Sequence, residues 1–440
     1  MSRKAYPSNK DSGIEWLGCV PDHWWVYRLK RLATLVTEKA EAQTAPVALE
    51  NIEGWTGRFR PSETQYEGDG IAFKAGDILF GKLRPYLAKV FLCQLSGEAV
   101  GDFHVLRPAS DMAGRFLQYL MLTREFIVIV DGSTYGAKMP RASWDFMGQM
   151  ELPKPPLPEQ RAIAAFLDRE TAKIDALVAE QERLIALLAE KRRAVISHAV
   201  TKGLDPNAPM KDSGIAWLGE IPAHWEVKQL RRIVAAIEQG WSPECLSRPA
   251  EDLEWGVLKA GCTNGGLFSE QENKALPPEL APVIAYEVRP GDILMSRANG
   301  SPKFVGSTAY VSAVRARLLL SDKIYRVRLA PDEAPEWFVA LMGATIMRDQ
   351  IVQAISGAEG LANNLPQSSL KEFLVPVPPR DEQFAISKHI AIQTAKLDTL
   401  TSEAERAIAL LKERRAALIS AAVTGKIDVR DAVAAEEVAA

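Results

Sequence analysis

LPKPPLPEQRAIAAFLDRETAKIDALVAEQERLIALLAEKRRAVISHAVTKGLD, residues 152–205, returns as VPVPPRDEQFAISKHIAIQTAKLDTLTSEAERAIALLKERRAALISAAVTGKID at 375–428. Each residue pairs with the one 223 positions on, without a gap, and 28 of the 54 pairs are identical. A duplication of that length sets the architecture before any local reading, because it means one structural unit built twice. Each copy opens with prolines, Leu152–Pro158 or Val375–Pro379. Proline locks φ, so the chain enters the next segment stiff and extended. From Glu159 to Thr201 there is no Gly or Pro, which predicts a helical rod of roughly 64 Å. Glu159 and Glu382 fall in the first turn, and Arg192, Arg193 and Lys202 near the first rod's far end. Those charges complement the helix macrodipole.

Stepping by four and three gives Ile163, Leu167, Glu170, Ile174, Leu177, Gln181, Leu184, Leu188, Lys191 and Val195 in the first copy. In the second it gives Ile386, Ile390, Gln393, Leu397, Leu400, Ala404, Ala407, Leu411, Arg414 and Leu418. This is a largely apolar heptad seam, widened by Ile185, Ala186 and Leu187. A rod this long cannot bury its seam alone. The nearest partner is the other copy, and the simplest pairing is antiparallel, with a pseudo-twofold axis. On its own, the pattern reads as a structural scaffold.

A second repeat opens each half. KDSGIEWLGCVPDHWWVYRLKRL at 10–32 and KDSGIAWLGEIPAHWEVKQLRRI at 211–233 share 14 of 23 positions. Trp16, Pro21, His23 and Trp24 match Trp217, Pro222, His224 and Trp225. Neither histidine has a second ligand at metal spacing, so both are read as packing groups that fix how the body begins. Between opening and hinge lies a mixed body. In the first, Ile71–Phe73, Ile78–Phe80, Val90–Leu92 and Phe103–Leu106 read as strands, and Arg115–Val130 as one helix. A Gly-rich loop, Asp131–Arg141, comes next. In the second, Pro290-Gly-Asp292-Ile-Leu matches Ala75-Gly-Asp77-Ile-Leu, Glu336–Ile355 matches the helix, and 357–367 matches the loop. The ends of the bodies agree and their middles diverge. The fold class is α+β, with two mixed bodies separated by two long helices that form an antiparallel coiled coil.

Composition excludes several classes. The chain of 440 residues is 47% hydrophobic and 25% charged, as in ordinary globular proteins. Cys19, Cys93, Cys245 and Cys262 form no CxxC pair, which argues against a disulfide framework or zinc ribbon. The polar start MSRKAYPSNKDSG is no signal peptide, and no apolar run approaches a membrane span. A cytoplasmic location is expected. The net charge is −3, so any nucleic-acid contact must come from local clusters or a basic partner. There is no Walker A pattern, no GxGxxG after a strand, no HExxH, and no NPPY- or DPPF-like tetrapeptide. The acidic pairs Asp252 with Glu254 and Asp332 with Glu333 sit in polar, loop-like stretches and read as solvated charge.

With both openings, both hinges (PPLPEQ at 155–160, PPRDEQ at 378–383), both TAKID/TAKLD segments and the paired ERLIALLAEKRRAVIS and ERAIALLKERRAALIS runs, the sequence closely resembles the specificity subunit of Type I restriction–modification enzymes. The resemblance covers nearly the whole chain. It implies target recognition domains at 1–155 and 206–378, conserved spacer helices at 156–205 and 379–425, and a flexible tail at 426–440. It also implies that each recognition domain reads one half of a bipartite, asymmetric double-stranded DNA target. The helices would set the spacing and dock two adenine methyltransferase subunits. S-adenosylmethionine would then belong to the methyltransferase, ATP and Mg to a separate restriction and translocation subunit, and no cofactor or catalysis to this chain.

Local charge and turn chemistry nominate the DNA contacts. In the first body these are Arg58 and Arg60 beside a Trp–Gly turn, Lys82, Arg84, Tyr86 and Lys89 in GKLRPYLAK, and Lys138 and Arg141 in the Gly-rich loop. In the second they are Arg297, Asn299, Ser301 and Lys303, with Asn363 and Asn364 in the matching loop. From Arg297 to Arg328 there are seven basic residues and one acidic, Asp322. Arg can bind guanine bidentately, Asn can bind adenine, and Lys mostly holds phosphate. The coiled-coil residues nominated are Ile163, Leu167, Ile174, Leu177, Leu184, Leu188 and Val195, with Ile386, Ile390, Leu397, Leu400, Leu411 and Leu418. The competing reading is a coiled-coil scaffold whose bodies bind proteins instead of DNA.

Overall fold

The computed structural model describes residues 4–40, 45–62, 70–136, 138–355 and 363–430. The chain divides into two compact units: unit 1 is residues 1–182 with 405–440, and unit 2 is residues 183–404. The boundary therefore falls inside each long helix, Leu157–Lys202 and Arg380–Val423.

In unit 1, Ala33–Val36, Phe103–Pro108, Ile78–Gly81 and Val90–Leu92 lie side by side in that order, all antiparallel. Unit 2 repeats the order with Val234–Gln239, Ile324–Leu329, Ile293–Ser296 and Thr308–Tyr310. The central strands are apolar on both faces because each sheet has a core on either side. Ile78 and Phe80 point into the main core while Leu79, between them, joins a smaller cluster with Phe103 and Val105. Ile293 and Met295 against Leu294 repeat the alternation. A period of two requires this split.

The Gly-Asp turn before each central strand is a lock. Gly76 and Gly291 both sit at φ +92°, which favours glycine. Asp77 accepts the Lys74 N–H at 2.8 Å and a bidentate pair from Arg107 at 2.9 and 2.7 Å. Asp292 accepts the Arg289 N–H at 3.0 Å and Arg328 at 2.8 Å.

The stretch Arg115–Val130, read as one helix, is two: Gly114–Met121 and Arg124–Gly132. Thr123 breaks it, its hydroxyl capping the second helix by accepting the Phe126 N–H. The copy breaks likewise into Pro335–Met342 and Thr345–Ala354, at Gly343. Apolar periodicity runs through both breaks, so spacing alone could not find them.

The proline hinges are strands. Glu151–Lys154 pairs antiparallel with Trp25–Arg28, and Leu374–Val377 with Glu226–Gln229. The first and last segments of each body are thus stitched together, with Pro153 and Pro376 on two-stranded ribbons where a missing N–H is tolerated.

Each Trp–Gly–Pro–His–Trp opening is held by both long helices. In unit 1, Trp24 is fully buried, and its indole N–H donates to Glu159 Oε1 at 3.1 Å. Tyr6 donates to the same oxygen at 2.7 Å, and His23 lies 2.7 Å from Oε2. Behind the ring is Gly425, φ +77°, where any side chain would strike Pro21 and Trp24. In unit 2, Trp225 and His224 meet Glu382 at 2.9 and 2.8 Å, and Gly203, φ +75°, abuts Trp225 and Pro222. In each unit the start of one helix and the end of the other therefore meet at one tryptophan, so the helices run antiparallel there. Glu159, expected only to complement a dipole, is a buried acceptor. The next residue is as structural: Gln160 accepts the Ala113 N–H and donates to Pro155 O, and Gln383 does the same for Ala334 and Pro378.

The heptad seam needs a correction. Leu177, Leu184 and Leu400 are 46%, 41% and 46% exposed. Half of the seam passes one residue on, from Glu170, Leu177, Leu184 and Lys191 to Thr171, Val178, Ile185 and Arg192, while Ile174, Gln181, Leu188 and Val195 keep their places. Thr171, Ile174, Val178, Gln181, Ile185, Leu188, Arg192, Val195 and Ala199 are buried or half-buried, as are the nine residues 223 positions later. Counting from Ile163 misplaced that half, because Ile163 and Leu167 face the first body's core, as Ile386 and Ile390 face the second's; the nominated Ile174, Leu188, Val195, Leu397, Leu411 and Leu418 do lie on the seam. Two ion pairs fix the register: Arg415–Asp175 at 3.1 Å in unit 1 and Arg192–Asp398 in unit 2. Asp175 repeats as Asp398 and Arg192 as Arg415. The two bridges are one interaction, built twice.

Residues 426–430, read from the sequence as the start of a tail, pack on unit 1. Val429 is buried, and the Asp428 N–H donates to Lys4 O at 2.8 Å. Residues 431–440 lie outside the described residues, as do Ala137 and 357–362 of the two Gly-rich loops. No helix among the described residues is long and apolar enough to cross a membrane.

Candidate nucleic-acid interface

The central strand of each body runs on past its sheet and pairs with the loop before the hinge. In the first body, Lys82–Arg84 meets Pro140–Ala142: Leu83 bridges to Arg141, the Arg84 N–H donates to Pro140 O, and the Ala142 N–H donates to Lys82 O. In the second, Ala298–Asn299 pairs with Asn363–Asn364, and the Leu365 N–H donates to Arg297 O. One backbone device thus presents two different sets of side chains.

In the first body it gathers Lys82, Arg84, Lys138 and Arg141, with Tyr86 46% and Tyr135 62% exposed. Asp102 holds two of these cations, Arg141 at 3.0 Å and Lys82 at 3.8 Å. The Arg84 guanidinium meets no hydrogen-bond or ion-pair partner among the described residues and is exposed. Its φ of +51° is unusual for a side-chain-bearing residue.

Three nominated cations are drawn elsewhere. Arg58 pairs with Asp175 at 2.5 Å, Arg60 with Glu53, and Lys89 donates to Leu49 O at 2.5 Å. Arg415 adds a bond to Trp55 O at 3.0 Å. The loop carrying Arg58 is thereby tied to both long helices within unit 1, around a cleft of about 500 Å³.

The second body's edge is amide-rich. Asn299 Nδ2 lies 3.5 Å from Asn264 Oδ1, its own Oδ1 accepts the Ser301 N–H at 3.2 Å, and Asn363 donates to Gly300 O at 3.4 Å. Asn364 Oδ1 is buried with no partner. The basic run 297–328 is no patch. Arg326 is buried, and Arg326 and Arg328 pair with Asp292 and Glu238. Lys323 pairs with Asp322, and Arg297 and Arg315 donate to backbone carbonyls. Lys303 remains exposed. Asn264 and Tyr135 were not nominated from the sequence. The Asn264-Gly265-Gly266 turn was the available signal for the first.

His104 lies 3.0 Å from Ala142 O at the first body's edge, with its ring tilted against Trp144 at 6.3 Å. Burial holds its pKa below the ordinary 6.5, against the bond to Ala142. As pH falls below 6.5, the unfolded chain takes up the proton first, so stability present above that value is lost as pH falls through the folded-state value. Unit 1 should melt earlier at about pH 5.5 than at about pH 7.5, and the drop should shrink in a His104→Asn variant. Equal drops in the two proteins would remove His104 from the account.

Two bodies of one topology, each presenting its own side chains on the same edge and each packed on duplicated helices, define an internally duplicated two-body protein. No protein-family model matches the chain. It is 30% identical to the specificity subunit of the Type I restriction enzyme EcoEI of Escherichia coli over 227 residues, 51% of this chain and 38% of that one. It is 24% identical to the EcoKI specificity subunit of E. coli K12 over 330 residues, 73% of this chain and 68% of that one. The match thus spans under two thirds of the first relative's length. A solved structure described under complex assembly and conformational transition of the type I R-M system covers 92% of this chain with a TM-score of 0.69 at 18% identity, and shares its fold. The chain is thus similar to specificity subunits of Type I restriction enzymes over part of their length, and shares the fold of a solved chain from such a system.

Proposed function

We propose that this chain supplies the DNA sequence specificity of a Type I restriction–modification complex. Each body reads one half of a bipartite, asymmetric duplex target, and the paired helices set the gap. The exposed leucines Leu177 and Leu187, repeated as Leu400 and Leu410, are left for two adenine methyltransferase subunits to cover. S-adenosylmethionine belongs to those subunits, ATP and Mg to the restriction and translocation subunits, and the chain itself performs no chemistry. The carrying observation is the shared edge device with different side chains in the two bodies. A protein-binding scaffold would need no such cationic and amide-rich edges.

Titrating the chain, assembled with its methyltransferase, against duplex DNA at several salt concentrations tests this. Affinity should fall steeply and log-linearly with salt; a flat response favours the scaffold. Adding one heptad to each helix at matched seam positions should lengthen the rod by roughly 10 Å. The gap between half-sites should then grow by about three base pairs, with both half-sites kept. An altered half-site would sink the ruler.

A further inference from the structure

We infer that Arg84 and the Asn264–Asn299 pair are the base-reading groups of the two bodies, the first selecting guanine and the second adenine. The inference rests on the DNA-reading function proposed above and names which bases each body selects. Arg84 and Asn299 hold the same place. Each stands three residues past the end of a central strand, Gly81 or Ser296, and directly after a residue that bridges to the pre-hinge loop, Leu83 to Arg141 and Ala298 to Asn364. The topology leading here is shared, but the bodies then differ in backbone and side chain alike: Arg84 is left-handed, while Asn299 lies in a short strand paired with Asn363.

Arg84 has the features of a reader. It is exposed, it is unpaired among the described residues, and its left-handed backbone is a strained conformation of the kind that persists where surrounding structure enforces it. Its neighbours Lys82 and Arg141 share Asp102, which leaves Arg84 as the guanidinium able to span O6 and N7 of a guanine. In the second body no cation takes that place. The Asn299 amide is fixed at both ends, by the Ser301 N–H and by Asn264. Asn299 is therefore a positioning residue. Asn264 is exposed, and the next two residues, Gly265 and Gly266, have φ of +73° and +79°. A turn of that kind lets a backbone come close to a ligand. With its Oδ1 oriented by Asn299, Asn264 can accept from N6 and donate to N7 of adenine, the bidentate pattern that suits an amide.

The test is sequence enrichment from a randomised duplex library by the full chain assembled with its methyltransferase. Arg84→Ala should cut the preference for guanine at one position of one half-site by roughly 5- to 150-fold, leaving the other half-site intact. Asn264→Ala should do the same for adenine in the other half-site. Arg84→Lys keeps the charge and should weaken the guanine preference less than Arg84→Ala, since an ammonium can still donate to O6 and N7 but lacks the fixed fork of the guanidinium. Lys303→Ala should weaken binding evenly across sequences. Retention of the wild-type base preference by Arg84→Ala or Asn264→Ala overturns the assignment. So does loss of all binding by a variant that melts as the wild type does. A wild-type complex that enriches no bipartite motif would instead refute the DNA-reading function itself.

Discussion

Trp24→Ala should destabilise unit 1 by about 3–5 kcal/mol, the range for emptying a buried aromatic site. Few single changes in this chain should cost more. The ring is fully buried in the main core and its N–H is one of the donors that satisfy Glu159, itself only 7% exposed. Truncation leaves a cavity and a less satisfied buried carboxylate together. Whole domains are stable by about 5–15 kcal/mol, so much of the unit's margin is at stake. Trp225→Ala removes an equally buried ring, but Glu382 is 25% exposed, so water can replace the lost donor and the cost should be smaller. Calorimetry on each variant reads this directly. Trp24→Ala should lower the transition of unit 1 and Trp225→Ala that of unit 2. Shifts equal in both units, or losses under about 1 kcal/mol, would refute the account.

Asp175→Ala should cost about 3 kcal/mol, and Asp398→Ala less than about 1 kcal/mol, although these residues are the same position in two copies. The bridge is repeated, but its solvent is not. Asp175 and Arg415 are 11% and 10% exposed, while Asp398 and Arg192 are 65% and 36% exposed. Breaking the buried pair leaves Arg415 only the Trp55 carbonyl and releases Arg58 as well. Breaking the exposed pair leaves two hydrated charges. Urea unfolding of the two variants, with double-mutant cycles on each bridge, measures the contrast. Equal coupling energies would mean that burial is not what separates the copies.

The large elements were legible because repetition and apolar spacing carry them. Both long helices, the strands Ile71–Phe73 and Val90–Leu92, and the duplicated order of elements can be read from residues alone. What escaped depends on side chains meeting across long separations. Leu177 and Val178 are both apolar, and only the partner helix decides which is buried. Glu159 reads as a first-turn carboxylate until Tyr6 and Trp24, over 130 residues earlier, are seen to converge on it. Arg326 and Arg328 look like part of a basic patch because their acceptors, Glu238 and Asp292, lie before the 297–328 window. Arg58 was nominated on charge and is tied to Asp175. Arg84, nominated on the same ground, stands in the edge cluster.

The bond from Asp428 to Lys4, with Val429, Val423 and Ala422 filling the core behind Trp24, has a consequence for synthesis. Unit 2 lies in one uninterrupted stretch of chain, whereas unit 1 is split between its two ends. A ribosome releases the first body early, yet the segment that closes its core is translated only after the second unit. The second unit can therefore finish folding first, and the earlier-made one waits with an open flank for the final turns to arrive.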